Sequence, residues 1–269
     1  MTELVGIVNL TPDSFSGDGL LAAKDAVLAH IDTVIEDGAS VIDIGAESTR
    51  PGAATLTWEE EWQRLAPVVE SLSARVSKVR FSIDTHHTET AVRALAAGVH
   101  WINDVTGGQD TRMLELIKNF SCDYVVMHSL SVPANPKETI ILGADPVGVI
   151  LAWAQARLTQ LEEQGIAHSR IILDPGIGFG KTAEQSLTLI KNIARLKTLG
   201  VRILVGHSRK SFLSLFTDKP SAERDAETLA VSQYLAQQNV DYLRVHDVKS
   251  HSATLRNKAT SPLFLQREG

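Results

Sequence analysis

Eight short apolar runs, each followed by a longer segment of helical periodicity, divide this chain from one end to the other. The runs are Leu4 to Asn9, Ser40 to Gly45, Val79 to Asp84, Val99 to Asn103, Asp123 to His128, Arg170 to Asp174, Arg202 to Gly206 and Tyr242 to His246. Short, rich in Val and Ile and with little polar alternation, they predict strands of a parallel sheet covered on both faces. The segments between them predict helices over Ala22 to Asp37, Trp58 to Ala74, Thr88 to Ala97, Thr111 to Phe120, Pro146 to Glu163, Ala183 to Leu199, Ala222 to Gln238 and Val248 to Lys258. Gly38, Gly98, Gly165 and Gly200 stand where a left-handed residue would stop four of these helices. Eight such units close into a (β/α)8 barrel of about 250 residues, with its active site at the strand C-terminal ends. One barrel domain therefore accounts for all 269 residues, with 260–269 expected as an irregular tail. A doubly wound open sheet is the alternative architecture, but it rarely needs eight regular units.

Composition narrows what such a barrel binds. A hydrophobic fraction of 43% is enough for a substantial core, and 26 Lys+Arg against 32 Asp+Glu leave a net charge of -6. That balance argues against the broad basic surface of a nucleic-acid binder, so an anionic ligand needs a local basic pocket. The opening Met-Thr-Glu-Leu-Val-Gly-Ile-Val-Asn-Leu has no basic start before a long apolar run, so neither a signal peptide nor a membrane span is expected and the location is expected to be cytoplasmic. The one cysteine, Cys122, cannot form an internal disulfide and reads as a small buried residue.

Polar residues collect at the strand ends, where barrel enzymes build their sites. The first five runs lead into Asn9-Leu-Thr-Pro-Asp13, Asp43-Ile-Gly-Ala-Glu-Ser-Thr-Arg-Pro-Gly52, Asp84-Thr-His-His87, Asn103-Asp104 and Met127-His128. The last three lead into Asp174-Pro-Gly-Ile-Gly-Phe-Gly-Lys181, Gly206-His-Ser-Arg-Lys-Ser211 and Arg244-Val-His-Asp247. Any one of these is an ordinary turn composition. Together, with Arg or Lys on four of them, they point to a ligand site, because converging charges cost stability unless partners compensate.

Three other readings fail on spacing. A P-loop needs a glycine five places before Gly180, and Pro175 stands there. Gly178-Phe-Gly-Lys-Thr-Ala183 fits the looser dinucleotide pattern, but no acidic residue lies between Thr198 and Ser208 to take a ribose. A barrel zinc hydrolase is suggested by His86, His87, His128, His207 and His246, yet the first strand ends in Asn9-Leu-Thr rather than a His-x-His pair. His86 and His87 are expected on a solvated turn or capping a helix.

Taken together, these strand ends resemble the dihydropteroate synthase family, a pterin-binding barrel family, across nearly the whole chain. The resemblance rests on Asn-x-Thr-Pro-Asp-Ser-Phe-Ser at Asn9 to Ser16, Glu-Ser-Thr-Arg-Pro-Gly-Ala at Glu47 to Ala53, Ser-Ile-Asp-Thr at Ser82 to Thr85 and Ile-Asn-Asp at Ile102 to Asp104. It continues in Leu-Asp-Pro-Gly-x-Gly-Phe-Gly-Lys at Leu173 to Lys181, Ser-Arg-Lys-Ser at Ser208 to Ser211 and Arg-Val-His-Asp at Arg244 to Asp247.

The resemblance implies condensation of 6-hydroxymethyl-7,8-dihydropterin pyrophosphate with p-aminobenzoate, assisted by Mg²⁺, with release of pyrophosphate during folate synthesis. It implies Asp174 as acceptor for neighbouring pterin N–H groups, with Asn103, Asp84, Lys210, Arg244, Phe179 and Met127 around the same ring. Asp84, Lys210 and Arg244 are the implied catalytic residues. Asn9, Arg50, Arg244 and His246 are implied for pyrophosphate, Asn9 also for the metal, and Thr49, Pro51, Phe179 and Ser208 for p-aminobenzoate. On this reading Asp84 and Asp174 serve a cationic transition state, while Arg50, Arg244 and His246 receive the leaving anion. The loops Thr11 to Leu20 and Thr49 to Thr57 are expected to close over the second substrate, sulfonamides to compete with p-aminobenzoate, and the protein to form a homodimer.

Two features depart from the family pattern. Ser129-Leu-Ser-Val-Pro133 follows His128 where many relatives have a second methionine and a glycine, so the fifth loop is expected to differ in shape. The chain also begins almost directly on strand one, without the segment some relatives use to close the barrel bottom, a difference expected to bear on stability. The competing functions are a methyltetrahydrofolate-dependent corrinoid methyltransferase, which needs no pyrophosphate clamp, and a pterin-binding paralogue without turnover.

Overall fold

A computed structural model describes residues 1–10, 20–47, 54–73, 75, 78–135, 137–141, 143 and 145–256. Strands β1 (Glu3–Asn9), β2 (Val41–Gly45), β3 (Arg80–Asp84), β4 (Trp101–Asp104), β5 (Asp123–Met127), β6 (Ile171–Asp174), β7 (Arg202–Val205) and β8 (Tyr242–Val245) alternate with eight α-helices. The helices are α1 (Leu20–Glu36), α2 (Trp58–Val69), α3 (Thr88–Ala96), α4 (Thr111–Asn119), α5 (Pro146–Glu163), α6 (Ala183–Lys191), α7 (Asp225–Gln237) and α8 (Val248–Arg256). Each strand pairs in parallel with the next, and β8 returns to β1, closing the barrel and excluding the open sheet. The expected tail 260–269 lies outside the described residues.

Three helices depart from the sequence expectation, each for a local reason. α2 ends at Val69 rather than Ala74. There the Ser71 hydroxyl takes the Pro67 carbonyl, at 3.0 Å, while the Ser71 amide turns to Val68. A side chain competing for helical carbonyls in this way favours a turn over continued helix. The segment expected as one helix over 183–199 breaks after α6 at Asn192 (φ -110°, ψ 19°) and resumes as a 3₁₀ helix, Ile193–Leu199. α7 starts at Asp225, because Pro220 leads first into a short 3₁₀ turn over Ser221–Glu223. All four expected glycine stops have positive φ.

The core has two layers. Strand side chains facing outward pack with the helices, and include Ile42, Ile44, Phe81, Ile83, Ile102, Leu173 and Ile203. Inside the barrel, Val5, Val41, Trp101, Val125, Ile172, Leu204 and Tyr242 form a separate cluster, with the Trp101 and Tyr242 rings edge to face at 4.8 Å. Below it, toward the strand N-termini, Arg202 holds Asp123 through two bonds of 2.8 Å and Arg80 pairs with Glu3. The Arg80 guanidinium lies over the Trp101 and Tyr242 rings. Polar groups thus finish the barrel bottom with partners in place, which removes the cost of burying them alone. No described helix is long and apolar enough to cross a membrane.

Candidate active site

Strand register decides which polar side chains meet. Asn9 pairs with Gly45, Gly45 with Asp84, Asp84 with Asn103, and Met127 with Asp174. Partners in a parallel pair face the same side and alternate residues along a strand return to it. Asn9, Asp43, Asp84, Asn103, Met127, Asp174 and Arg244 therefore share one face. That face is the interior: Arg244 on β8 reaches Asp84 on β3, three strands away around the barrel, and only a path across the lumen allows this. The same alternation splits two sequence motifs. In Ile-Asn-Asp, Asn103 points inward while Asp104 accepts from Tyr124 (2.6 Å) and shapes the following turn. In Ser-Ile-Asp-Thr, Asp84 points inward while Thr85 donates to Glu61 (2.7 Å).

Arg244 is the electrostatic centre. Its Nε donates to Asp43 Oδ2 at 2.6 Å and its Nη2 to Asp84 Oδ2 at 2.8 Å, while Asn103 Nδ2 donates to the same Asp43 oxygen at 3.1 Å. Burial alone would favour loss of the Arg244 proton, but Asp43 and Asp84 outweigh it and hold its pKa above the ordinary value. Burial pushes the Asp84 carboxyl up to about 7, with Arg244 opposing and Asp43 adding to the rise. Asp43, Asp84 and Arg244 thus form one ion-pair network across the lumen.

Beside this network lie Asp174 and Lys210. A Cβ on Gly206 would stand 3.5 Å from Asp174 Oδ2, 3.8 Å from Lys210 Nζ and 3.9 Å from the Arg244 Cδ, so the glycine leaves all three groups around one point. Burial raises the Asp174 carboxyl, with Lys210 opposing, and lowers the Lys210 ammonium to about 8, with Asp174 opposing. Lys210 Nζ donates to the Ile177 carbonyl at 2.6 Å and lies over the Phe179 ring at 4.7 Å. Arg209, just before it, takes a left-handed conformation (φ 59°) secured by two bonds to Asp225, which turns Lys210 back over the barrel.

The loop after β6 is built around an obligatory glycine. Gly176 has φ 68°, and a Cβ there would fall 1.9 Å from the His128 carbonyl oxygen, so only glycine lets the two backbones meet. Its amide donates to Asp174 Oδ1 at 2.7 Å, which orients that carboxylate. Phe179 packs with Met127, Val105 and Ala134. Buried Lys181 fastens the arrangement by donating to the Phe179 carbonyl (2.8 Å) and to His128 Nδ1 (2.9 Å). Burial and Lys181 drive His128 down to about 3, leaving it neutral to accept, while burial lowers Lys181 to about 7.

At the barrel mouth, Asn9 Oδ1 and the Asp84 side chain both flank Gly45. Ser208 Oγ lies 2.9 Å from His246 Nδ1 and accepts from the His246 amide at 3.3 Å. Thr49, Arg50, Pro51 and most of the two expected closing loops lie outside the described residues.

Asp43 and the Lys181–His128 pair were not singled out by sequence reasoning. The available signal for Asp43 was an acid in the otherwise apolar Val-Ile-Asp-Ile-Gly, two residues from the strand end. His86 and His87 are half-buried rather than fully solvated, and His87 takes the N-cap position of α3 without a side-chain capping bond. Burial, followed by the neighbouring His87, lowers the His86 pKa.

The sequence profile of the "Pterin binding enzyme" family matches residues 5–246. The "Folate synthesis bifunctional protein" of Chlamydia caviae is 38% identical over 97% of this chain, and the match spans 59% of that protein. The chain thus spans about three fifths of the length of such bifunctional relatives. The dihydropteroate synthase of Synechocystis is 37% identical, covering 93% of this chain and 86% of that one. The crystal structure of dihydropteroate synthase from Anaplasma phagocytophilum, with bound 6-hydroxymethylpterin-monophosphate, superposes with a TM-score of 0.87 at 40% identity, covering 96% of this chain and 98% of that chain.

Proposed function

The chain belongs to the pterin-binding enzyme family, and from that premise we propose that it catalyses the dihydropteroate synthase reaction. In that reaction the p-aminobenzoate nitrogen attacks the exocyclic carbon of 6-hydroxymethyl-7,8-dihydropterin pyrophosphate. The C–O bond breaks and its electron pair leaves with pyrophosphate, positive charge develops on the exocyclic carbon, and the C–N bond then forms as the amine nitrogen attacks and releases a proton. The observation that carries the proposal is the convergence of Asp174, Lys210 and Arg244 around Gly206 inside the barrel. Names of relatives aligned along nearly the whole chain favour this reaction over the corrinoid methyltransferase.

Each residue has a role in the reading. Asp174 accepts paired pterin N–H groups as a carboxylate, a charge-assisted arrangement that a neutral acceptor matches poorly. Asn103 binds another pterin edge, and Met127 and Phe179 supply apolar contact. Lys210, protonated at neutral pH, contacts the ring, and Asp84 supports positive charge on the exocyclic carbon as pyrophosphate departs. Two of the five Arg244 N–H groups serve Asp43 and Asp84, while the guanidinium plane lies over the pterin face and other N–H groups donate to the pyrophosphate. His246, Arg50 and Asn9 complete the pyrophosphate set, while Thr49, Pro51, Phe179 and Ser208 receive p-aminobenzoate.

Asn9 offers a neutral amide oxygen beside Asp84, the hard donor that Mg²⁺ takes. It would hold that ion together with the pyrophosphate, and the bound ion would neutralise charge on the leaving group. A homodimer in the cytoplasm completes the reading.

The test supplies the pterin pyrophosphate, p-aminobenzoate and Mg²⁺ and follows dihydropteroate and pyrophosphate together, with a sulfonamide expected to compete with p-aminobenzoate. Pterin binding without either product would leave a non-catalytic binder and sink the enzyme reading. Asp174→Asn is expected to weaken pterin binding roughly 10- to 100-fold, the worth of a hydrogen bond to a charged group. Unchanged affinity in a fluorescence titration would put the pterin elsewhere.

A further inference from the structure

We propose that Glu47, His86 and His87 form a second metal site, for a borderline divalent cation of the Zn²⁺ class, on the rim formed by the loops after β2 and β3. One potential ligand atom from each residue lies within 4.8 Å of the other two. Glu47 Oε2 is 3.7 Å from His86 Nδ1 and 3.9 Å from His87 Nε2, and the two imidazole rings lie tilted by 37° with centroids 4.2 Å apart. These separations are too long for hydrogen bonds. They are a few tenths of an ångström wider than the roughly 3.4 Å expected between ligands of a tetrahedral ion bonded at about 2.1 Å.

A second observation points to a ligand. The Glu47 side chain is only 8% exposed. Its Oε1 accepts from the Leu56 amide at 3.2 Å, but Oε2 has no hydrogen-bond partner among the described residues. A buried carboxylate oxygen left without a donor is costly, and this one faces two imidazole nitrogens. A cation between them would remove that cost.

The surroundings hold the ligands in place. Thr85 Oγ1 accepts from the His87 amide at 3.0 Å and donates to buried Glu61. The Leu56 amide holds Glu47, while its carbonyl, 3.1 Å from His87 Nε2, is the contact that a metal would replace. Metal binding at that nitrogen displaces the carbonyl contact and any proton on it, so uptake releases protons and weakens as pH falls. Two imidazoles with one carboxylate select Zn²⁺, Co²⁺ or Ni²⁺ over Mg²⁺, which prefers oxygen ligands and retains its waters. Three protein ligands leave a coordination position for water. This site is therefore separate in chemistry from the Mg²⁺ assigned to the pyrophosphate, and does not depend on the catalytic reading.

The test titrates the untagged full chain, stripped with chelator, with ZnCl₂ by calorimetry in excess Mg²⁺, and repeats it with CoCl₂ by visible absorption. One equivalent of Zn²⁺ is expected, with a Co²⁺ d–d spectrum of low coordination number. His86→Ala and Glu47→Gln are each expected to weaken binding at least about tenfold, whereas His168→Ala, at a surface His–Glu pair, leaves it unchanged. In the wild-type chain, ¹H–¹⁵N imidazole correlations of His86 and His87 are expected to shift together at one equivalent, a readout that needs no variant to fold. No Zn²⁺ uptake, wild-type affinity in folded His86→Ala, or shifts confined to other histidines would each overturn the proposal.

Discussion

Removing the Arg244 side chain strands Asp43 and Asp84 inside the barrel. Breaking a buried pair from one side costs about 3–5 kcal/mol, because the remaining charge keeps its desolvation penalty. Here Asp84 can relieve part of that cost by protonation, since its carboxyl is already pushed up to about 7. Arg244→Ala is therefore expected to lose about 3 kcal/mol in urea denaturation at pH 8 and less at pH 5, with Asp43→Asn in the same chain restoring part of it. A loss independent of pH would mean the network is not what the arginine stabilises. Asp84 makes a second prediction. Between its unfolded value of 3.8 and about 7 the folded state binds the extra proton, so its contribution is greatest below pH 4 and is lost as pH rises to about 7. The stability of wild type relative to Asp84→Asn should fall across that window in the ligand-free protein. A difference that rises would reverse the sign of the shift.

The loop after β6 and the helix it enters form one element. Thr182 caps α6 in a box with Gln185, each side chain bonding the other's backbone amide at 3.2 and 3.0 Å. Gln185 also donates to the Ile140 carbonyl, tying the helix start to the fifth loop. Thr182→Ala is expected to cost about 1 kcal/mol, the ordinary worth of an N-cap. Gly176→Ala should cost more, since left-handed strain alone is roughly 1–3 kcal/mol and the methyl would meet the His128 carbonyl. Urea denaturation of the two variants checks the order, and equal losses would mean the loop shifts to accept the methyl. The capping box is a local Thr-x-x-Gln pattern, whereas the approach of Gly176 to β5 depends on how two neighbouring strands are staggered.

At the scale of the whole molecule, the barrel interior is one packed column. Polar pairs finish its lower end, an apolar layer fills the middle and the candidate site tops it. Trp101 is 1% exposed, touches Tyr242 edge on and lies under Arg80. Trp101→Ala should cost about 3–5 kcal/mol and lower the single thermal transition without moving the residues of the candidate site. A change below 1 kcal/mol would mean the interior collapses into the space.

The eight apolar runs, their helical spacers and the polar residues at their ends are local properties, so the sequence by itself determined the β/α alternation and the barrel rim as the place of chemistry. Period-two alternation even sorts inward from outward residues within each strand, once one inward residue is known. Three features belong to the tertiary structure alone: the pairing of Arg244 with Asp43 and Asp84, the stay Lys181 gives to His128 and Phe179, and the meeting of Glu47 with His86 and His87. Each joins segments far apart in sequence, and closure of the sheet brings those segments together through a register set by eight strands at once. No local pattern encodes that register, because it is the joint outcome of packing every outward face against its helices.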